Sequence, residues 1–267
     1  MPIVDMKDML LHAYRHGYAV GAFDVVSLDF VEGLMAAAEN CRAPVILSLA
    51  ESHFEYFDFE LIMPSVVAAA RRATVPVAIH LDHGASLGLA VRAIRLSCNG
   101  VIVDASAAPS QENIGVTRTV VEMAHSCGVG VEGELGYVPG IEGEDAAKHP
   151  GEAAYTSPGE ARAYVTSTGV DSLAVSIGTV HGRMRGTPKL DFARLAKINE
   201  AAGVPLVIHG GTGLSDAAAK RIRENAAAHQ SGGYTTLLEG AKQAICAEVE
   251  RCIKLWGSGG RSAEVLA

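Results

Sequence analysis

The sequence predicts one α/β domain, residues 1–267, folded as a (β/α)8 barrel. Short apolar runs rich in Val, Ile and Leu alternate with segments that carry apolar residues at helical spacing. The length of 267 residues is close to the ~250 residues typical of such barrels. No low-complexity tract or charge run interrupts the alternation. Seven clear strands in eight positions favour the closed barrel over an open, doubly wound sheet.

The first half of the chain contains four of these strands, at residues 18–23, 44–49, 75–84 and 100–104. Helices are predicted around them because apolar side chains recur three and four residues apart. One helix begins after Ser27, whose hydroxyl suits an N-cap. The others cover residues 6–16, 59–73, 87–96 and 112–125.

The second half begins with a strand at residues 129–135, followed by a polar, Gly-rich loop at 136–156. This loop is longer than most strand–helix connections, which predicts a mobile lid over an active site. Ser157 and Pro158 form a strong helix start, and Gly169 is a suitable stop. Two more strands end at His181 and His209, and further helices are predicted at residues 191–202, 215–225 and 237–255.

An eighth strand belongs between residues 225 and 237, but this stretch makes a poor strand. It contains three successive Ala, then His, Gln, Ser and two Gly. Such residues bury little apolar surface, and Gly is ordered at a high entropic cost. We therefore expect an irregular eighth strand or a mobile loop at residues 226–236.

The composition excludes several classes of function. A formal net charge of −8 argues against a nucleic-acid-binding surface, which usually needs a basic patch. Five Cys residues, an odd number without a Cys-x-x-Cys pair, indicate free thiols in a reducing compartment. The N-terminus lacks a signal-peptide pattern, and no apolar run approaches the ~20 residues of a membrane span. We expect a cytoplasmic protein without membrane or nucleic-acid partners.

Three His residues occupy equivalent positions in the predicted strands. His83, His181 and His209 each end an apolar strand, and each is followed by Gly. The carboxyl ends of parallel strands share one rim of a barrel, so the three imidazoles are expected to converge there. Three imidazoles suit Zn2+ and leave coordination positions open for substrate oxygens. The alternative is that each is a separate, hydrogen-bonded structural His.

Carboxylates accompany these His residues at the same predicted rim. Asp82 precedes His83, Asp104 ends the fourth strand, and Glu132 and Glu134 lie on one face of the fifth. Carboxylates at strand ends are costly to desolvate unless they are paired or used. They either take part in the chemistry or form salt bridges at the rim.

Two further features indicate a phosphorylated substrate and proton transfer. Gly210, Gly211 and Thr212 lie between the seventh strand and a helix, where successive N–H groups can form an anion site. Gly182 could supply backbone on the other side, although a plain Gly-rich turn is the alternative for the first segment. Glu142 in the lid is either a solvated charge or a movable acid.

The predicted strands contain no Lys. Schiff-base chemistry needs a Lys in the barrel mouth, so this sequence does not favour it. Carbonyl polarisation must then come from a metal. A metal, an anion site and a movable acid together indicate enolate chemistry on a phosphorylated carbonyl compound.

In these residues the sequence resembles the class II, zinc-dependent ketose-bisphosphate aldolases, which include the fructose- and tagatose-bisphosphate aldolases. The resemblance runs from residue 1 to about residue 225 and resumes near residue 237. It is carried by an ordered set of motifs: Gly21-Ala22-Phe23, Ile79-His80-Leu81-Asp82-His83-Gly84, Asp104-Ala105-Ser106, Glu112-Asn113, Val131-Glu132-Gly133-Glu134-Leu135-Gly136, Tyr155-Thr156-Ser157-Pro158, Ile177-Gly178-Thr179-Val180-His181-Gly182 and His209-Gly210-Gly211-Thr212-Gly213.

The resemblance implies a metal site and names its ligands. It implies that His83, His181 and His209 hold a catalytic zinc. It also implies that Asp104 and Glu134 contribute to a second cation position.

The resemblance further implies roles for two acids and for a phosphate cradle. Asp82 is the implied handler of the proton on the oxygen where the carbon bond breaks. Glu142 matches the loop acid that protonates the enediolate or deprotonates the ketone. The residues implied to cradle the phosphate of dihydroxyacetone phosphate are Gly182, Gly210, Gly211 and Thr212.

Two departures from the family pattern affect the substrate site. The family usually has Asn after Gly-Ala-Phe, whereas Asp24 places an anion near the substrate. The family's eighth strand reads like Lys-(Ile/Val/Met)-Asn-x-x-Thr, whose Asn and Thr touch substrate and phosphate. Here Ser231 and Thr235 are the nearest equivalents. The segment is therefore remodelled for another substrate, disordered, or impaired for activity.

We expect a metal-dependent aldolase that reversibly cleaves a ketose phosphate to dihydroxyacetone phosphate and an aldehyde, and a homo-oligomer, either a dimer or a tetramer. One alternative is a zinc-dependent hydrolase on the same barrel, although the paired His that such sites often carry on the first strand is missing. Another is a non-catalytic partner subunit of an aldolase. The retained metal ligands argue against a partner subunit, and the atypical eighth strand argues for it.

Overall fold

The fold is described from a computed structural model of the chain. The residues that the structure describes are 2–140, 154–182, 189–211, 214–217, 220, 224, 229–232 and 241–266. For residues 229–232, 241 and 242 this description covers the backbone only.

The strands of the described residues all run parallel, and each pairs with the next along the chain. The last strand also pairs with the first, which closes the sheet into a barrel. In chain order the strands are β1 (Gly21–Asp24), β2 (Val45–Ala50), β3 (Val77–Gly84), β4 (Gly100–Val103), β5 (Gly130–Leu135), β6 (Ser172–Val175), β7 (Leu206–Ile208) and β8 (His229–Gly232).

Helices connect the strands, and a short 3-10 helix, Glu51–His53, follows β2. Within the described residues, no helix combines the length and apolar character needed to cross a membrane. The α-helices are α1 (Met6–His16), α2 (Leu28–Cys41), α3 (Phe59–Arg72), α4 (Leu87–Arg95), α5 (Ser110–Ser126), α6 (Pro158–Thr168), α7 (Phe192–Ala202), α8 (Ala241–Trp256) and α9 (Ser262–Val265).

The apolar core lies on both faces of the barrel because side chains alternate along each strand. Phe23 and Leu47 belong to the larger cluster, which includes side chains from the surrounding helices. Their neighbours Ala22 and Ile46 belong to a second cluster that contains Met6 and other α1 residues. Helix α1 therefore closes the amino-terminal end of the barrel, and the opposite end is left for a site.

Most helix boundaries agree with the sequence predictions because the capping residues act as expected. Ser27 accepts a hydrogen bond from the Phe30 N–H at the start of α2 (3.4 Å). Ser157 caps α6 with Pro158 in its first turn. Gly169 ends the same helix in the left-handed conformation, with φ of 75°.

Two strand boundaries differ from the predictions for identifiable reasons. Strand β1 begins at Gly21 rather than residue 18, because Ala19 N–H donates to the Trp256 carbonyl (3.1 Å) instead of to a strand. Strand β6 ends at Val175, so the prediction that it extends to His181 was wrong. The Ser176 carbonyl accepts from Thr156 N–H (3.1 Å), outside the sheet.

The weak eighth strand is present as a short strand within the part of the chain that is described. Three of its residues pair in register with β1, and two pair with β7. Over His229–Gly232 the backbone therefore forms a short strand rather than a loop, and the irregularity expected for the whole of residues 226–236 stays a prediction. Of residues 226–236, those on either side of this strand lie outside the described residues.

The pairing of β3 with β4 contains a shift of register. Leu81 pairs with Val101, but Gly84 pairs with Val103, so β3 contains one extra residue. This is a β-bulge, a feature that commonly occurs next to active sites, where it redirects a side chain.

Candidate active site

Three imidazoles converge at the carboxyl-terminal end of the barrel. His83 lies near the end of β3, His209 directly follows β7, and His181 lies in the loop after β6. Each offers a ring nitrogen that lies within 4.8 Å of those of the other two. The ring centroids are 4.4 Å apart for His83 and His209, 4.8 Å for His83 and His181, and 5.5 Å for His181 and His209. The expected convergence is therefore observed.

The bulge in β3 explains how two consecutive residues reach the same site. Side chains of a regular strand alternate between its two faces. His83 instead adopts a left-handed backbone with φ of 47°. Its Nε2 consequently lies 3.8 Å from Oδ1 of Asp82. The other carboxylate oxygen of Asp82 accepts a hydrogen bond from the buried Ser48 hydroxyl (3.2 Å).

Carboxylates set the tautomers of two of these imidazoles. His209 Nε2 donates to Oε1 of the buried Glu132 (2.8 Å), and His83 Nδ1 donates to Oδ2 of Asp104 (3.1 Å). The remaining nitrogens, His83 Nε2 and His209 Nδ1, face each other 3.2 Å apart. Metal-binding imidazoles typically have one nitrogen held by an acceptor and the other directed at the metal. The donor set therefore fits a divalent cation that prefers nitrogen ligands.

A second group of possible ligands overlaps the first. His83, Asp104 and Glu134 offer atoms within 4.8 Å of one another. Oε2 of Glu134 is buried, and among the described residues it has no hydrogen-bond partner. Burial and the neighbouring Asp104 charge raise the pKa of Glu134 to about 7. Such a buried oxygen, close to two further ligand atoms, fits a second cation position.

The carboxylates give the site a negative electrostatic potential. Burial opposes a charged imidazole, yet the charges of Asp82, Asp104 and Glu134 together raise the pKa of His83 well above its usual range. Burial and His83 likewise oppose the charged form of His209, but Glu132 and Asp82 outweigh them and raise its pKa to about 9. A site that stabilises protonated imidazoles also attracts a metal cation, which competes with protons for the same nitrogens.

A cavity of about 180 Å³ opens beside the His cluster. His83, His181 and Asp104 line it, together with Ser52, Ser106 and Tyr137. The last three were not singled out from the sequence. Ser106 is the last residue of the Asp104-Ala105-Ser106 motif and Tyr137 is the second residue of the predicted lid, so their positions gave some signal, whereas Ser52 gave none.

The two Gly-containing loops lie against each other next to the imidazoles. Gly210 has a left-handed backbone with φ of 69°, and a Cβ at this position would collide with the backbone of Val180. Gly182 also has a positive φ, of 76°. Only Gly allows such close approach of the loop after β7 to the loop after β6. The two loops therefore approach each other closely at this point.

Several predicted site residues cannot be compared with the structure. Glu142, Thr212 and Thr235 lie outside the described residues, and Ser231 is described in its backbone only.

Asp24 is buried at the end of β1, next to Ser48 in the parallel register. Lys is absent from the described strands, in agreement with the sequence.

Comparison with known proteins identifies the family. Residues 4–229 match the family described as "Fructose-bisphosphate aldolase class-II". A Bacillus subtilis (strain 168) protein named "Probable fructose-bisphosphate aldolase" is 42% identical over 224 residues, which are 83% of this chain and 78% of that protein. "Fructose-bisphosphate aldolase" of Staphylococcus aureus (strain Mu50) is 42% identical over 217 residues, 80% of this chain and 75% of the relative.

A solved structure agrees with these sequence matches. The crystal structure of the YdjI aldolase from Escherichia coli K12 is similar with a TM-score of 0.84 and 30% identity, over 97% of this chain and 99% of that one. Class II aldolases use a divalent metal, typically zinc, which agrees with the clustered imidazoles. Neither the hydrolase nor the non-catalytic alternative is favoured by these matches. The chain therefore belongs to the class II fructose-bisphosphate aldolase family and is a metal-dependent aldolase, a carbon–carbon lyase.

Proposed function

We propose that the catalytic cation is Zn2+, held by His83, His181 and His209. The three ligand nitrogens within 4.8 Å of one another are the observation that carries this proposal. Three protein ligands leave positions open for substrate oxygens. Asp104 and Glu134 are proposed to contribute to a second cation position, because their carboxylate oxygens lie close together beside His83 and Oε2 of Glu134 is buried without a hydrogen-bond partner among the described residues.

The substrate is proposed to be a phosphorylated ketose, cleaved reversibly to dihydroxyacetone phosphate and an aldehyde. When bound, the cation polarises the ketone as a Lewis acid. Asp82 then takes the proton from the hydroxyl on the carbon that becomes the aldehyde. The hydrogen bond from Ser48 to this buried carboxylate supports the proposed role. In the reverse direction Asp82 returns the proton to the new hydroxyl.

Glu142 is proposed to move the second proton, at the carbon that loses its bond. In cleavage it protonates this carbon of the three-carbon product, and in condensation it removes the same proton. This role rests on its spacing from Glu134-Leu135-Gly136 in the sequence. We expect Glu142→Ala to keep zinc but to slow exchange of that proton by roughly 10²- to 10⁴-fold.

The phosphate is proposed to bind where the two Gly-containing loops adjoin. The contact between Gly210 and the Val180 backbone supports this location, because amides from two loops can then face one anion. No protein Lys is needed, since backbone N–H groups and a nearby cation provide the positive potential. The proposed contacts are Gly182, Gly210, Gly211, Thr212, Ser231 and Thr235.

We further propose that residues 1–267 form one (β/α)8 domain and that the protein is a cytoplasmic homo-oligomer, a dimer or tetramer. The ring of paired strands supports the single domain. The five thiols, none of them in a disulfide, agree with a reducing compartment. Leu61, Leu87 and Val91 are exposed on α3 and α4 and could contribute to a subunit contact. Light scattering coupled to gel filtration would give the subunit number.

The function is tested by screening phosphorylated ketoses for aldol cleavage before and after treatment with a strong chelator. Cleavage should stop on metal removal and return with Zn2+. His83→Ala, His181→Ala and His209→Ala should each lose both the metal, measured by elemental analysis, and the activity. Full turnover in chelator, with borohydride trapping the substrate on the protein, would show that a Schiff base is used instead.

A further inference from the structure

The backbone at the end of β3 is held in an unfavourable conformation. His83 has φ of 47°, a region that residues with a Cβ rarely adopt. It is one of three non-Gly residues with positive φ in the described part of the chain, and it is the one that lies in the site. Such a conformation persists only when the surrounding structure determines it.

The conformation matters because it directs the imidazole. The extra residue between Leu81 and Gly84 turns His83 toward the barrel mouth without moving Asp82 away from it. If the bulge relaxed into a regular strand, one of the two side chains would point to the opposite face. The position of a proposed zinc ligand thus depends on whatever holds the bulge.

On one side the bulge is held by β4. The Gly84 carbonyl accepts from Asp104 N–H (3.0 Å). A Cβ on Gly84 would lie 2.9 Å from both the Ile102 carbonyl oxygen and the Leu81 side chain, so only Gly fits here. These contacts fix the residue that follows His83 against the neighbouring strand.

On the other side the bulge is held by a carboxylate from the β2–α3 connection. Oε2 of Glu51 accepts a hydrogen bond from the backbone N–H of Ala85 (2.5 Å). Glu51 begins the 3-10 helix that directly follows β2, and β2 is paired with β3 up to Asp82. The Glu51 carboxylate therefore links the end of β2 to the loop that follows β3. Its partner there, Ala85, is two residues after His83. Hydrogen bonds to a charged acceptor are stronger than those to a neutral one.

We propose that Glu51 is a positioning residue that holds the β3 bulge and thereby sets the place of the His83 imidazole in the metal site. This inference rests on the proposed role of His83 as a zinc ligand. The hydrogen bond of Glu51 described above is to the Ala85 backbone and not to an imidazole. Its effect passes through the backbone from Ala85 to His83.

The experiment measures the zinc dissociation constant of the metal-free protein by competition with a coloured chelator. Glu51→Ala should bind zinc roughly 10- to 100-fold more weakly, the range typical for loss of an outer contact that orients a ligand. Glu51→Gln should restore most of the affinity, because its amide oxygen can accept the same N–H. Rescue by this conservative variant would not be expected if the Glu51 charge acted directly on the cation.

Asp58→Ala is the matched control. Asp58 is a carboxylate in the same connection, and it also accepts backbone N–H groups, those of Glu60 (2.9 Å) and Leu61 (3.1 Å) at the start of α3. Its removal should lower the unfolding temperature, as the loss of a helix cap does, without changing the affinity for zinc. This comparison separates general destabilisation from displacement of His83.

The parent protein and His83→Ala are measured in the same assay. They distinguish failure of the role proposed for Glu51 from failure of the proposed zinc site. If His83→Ala loses zinc but Glu51→Ala binds it as tightly as the parent, the role of Glu51 is overturned and the metal site stands. If His83→Ala retains zinc, the proposed site itself fails. If Glu51→Ala does not fold, Glu51→Asp is measured in its place, because the shorter Asp side chain draws the carboxylate away from Ala85. Unchanged zinc affinity in Glu51→Asp would also overturn the proposal.

Discussion

At the scale of single residues, Asp82 differs from the imidazoles beside it. It lies next to His83 at the barrel mouth, yet one of its oxygens is engaged by the Ser48 hydroxyl. Its Oδ1 is buried and has no hydrogen-bond partner among the described residues. A carboxylate fixed at one oxygen and open at the other is suited to receive a proton from a bound substrate.

Asp82→Asn should therefore retain zinc and lose turnover. The amide has nearly the same shape but cannot accept the substrate proton, so kcat should fall by roughly 10²- to 10⁴-fold. Metal content by elemental analysis and cleavage rate at saturating substrate would be measured together. Cleavage at the parent rate would remove Asp82 from the proposed mechanism, whereas loss of zinc would instead assign it to the metal site.

The sequence was sufficient to select His83, His181 and His209, because each follows an apolar run and parallel strands bring such positions to one rim. It was not sufficient to select Glu51. The contact between Glu51 and Ala85 joins residues that are brought together by the pairing of β2 with β3. The strand pattern that predicts β3 carries no signal for an inserted residue, since Asp82 and His83 are both polar and end the run.

At the scale of elements, a buried polar network joins α5 and α6 to the end of β5. The Tyr164 hydroxyl donates to Oδ1 of Asn113 (2.9 Å) and lies 2.7 Å from the Thr117 hydroxyl. Asn113 in turn donates through Nδ2 to the carbonyl of Glu134 (2.9 Å). The network therefore anchors, from outside the barrel, the strand end that carries a proposed cation ligand.

Tyr164→Phe should lower the free energy of unfolding by about 0.5–1.5 kcal/mol, because it removes the buried hydrogen bond to Asn113, whose Oδ1 still accepts from the Thr117 hydroxyl (3.2 Å). Burial raises the pKa of Tyr164 to about 12, so its hydroxyl remains protonated as a donor at neutral pH. Urea unfolding of the metal-free protein would measure the change. Tyr56→Phe is the control, since that side chain is 68% exposed. Equal stability of both variants would mean that the network contributes nothing.

The boundaries of helices and strands were predicted better where they depend on neighbouring residues than where they depend on contacts distant in the sequence. Ser27, Ser157 and Gly169 act within their own helices, so the boundaries that they mark could be read from the sequence. The start of β1 could not, because Ala19 bonds to Trp256, more than two hundred residues away. The end of β6 was missed for a similar reason: an apolar run continues past Val175 while its backbone leaves the sheet.

At the scale of the whole molecule, the two ends of the barrel have different tasks. The carboxyl-terminal end carries the site. At the opposite end, Asp171, the residue before β6, links neighbouring elements to one another. Asp171 bonds to Lys7 of α1 (2.8 Å), His125 of α5 (2.7 Å) and the Val131 N–H of β5 (2.9 Å). This carboxylate connects α1, α5 and the sheet, and it lies far along the strands from the imidazoles.

Asp171→Asn should lower stability without lowering zinc affinity, and the loss should depend on pH. Burial alone would raise the pKa of Asp171, but the hydrogen bonds from Lys7, Val131 and His125 outweigh it and hold the pKa below its usual range. A carboxylate with a lowered folded-state pKa stabilises the fold above its unfolded pKa of ~3.9 and loses this contribution as pH falls further. The difference between parent and variant, about 1–3 kcal/mol, should be present at pH 5 and should shrink below about pH 4.

Urea unfolding at several pH values would measure this difference, with Asp8→Asn, a change on the exposed surface of α1, as the control. A difference that grew as the pH fell would contradict the assigned sign. Zinc affinity, measured separately by competition with a coloured chelator, should be the same for Asp171→Asn and for the parent.

Closure of the barrel depends on its least apolar strand. The backbone of β8 pairs with β1 through residues 230–232 and with β7 through residues 229 and 230. A strand with neighbours on both sides needs its N–H groups, and Pro cannot supply one. Ser231→Pro should therefore cost at least about 1–3 kcal/mol of unfolding free energy. Ser231→Thr keeps the N–H and has a β-branched side chain that suits strands, so it should be neutral or slightly stabilising.

Both variants would be compared with the parent by urea unfolding in the presence of chelator, so that zinc binding does not contribute. The magnitude distinguishes a paired strand from a loop, because Pro at an unpaired position removes no ladder hydrogen bond. The two strands that β8 joins end in Asp24 and next to His209, so an opened barrel would also separate the walls of the site. We therefore expect Ser231→Pro to weaken zinc binding as well as stability. A Pro variant as stable as the Thr variant would mean that the sheet is open between β7 and β1.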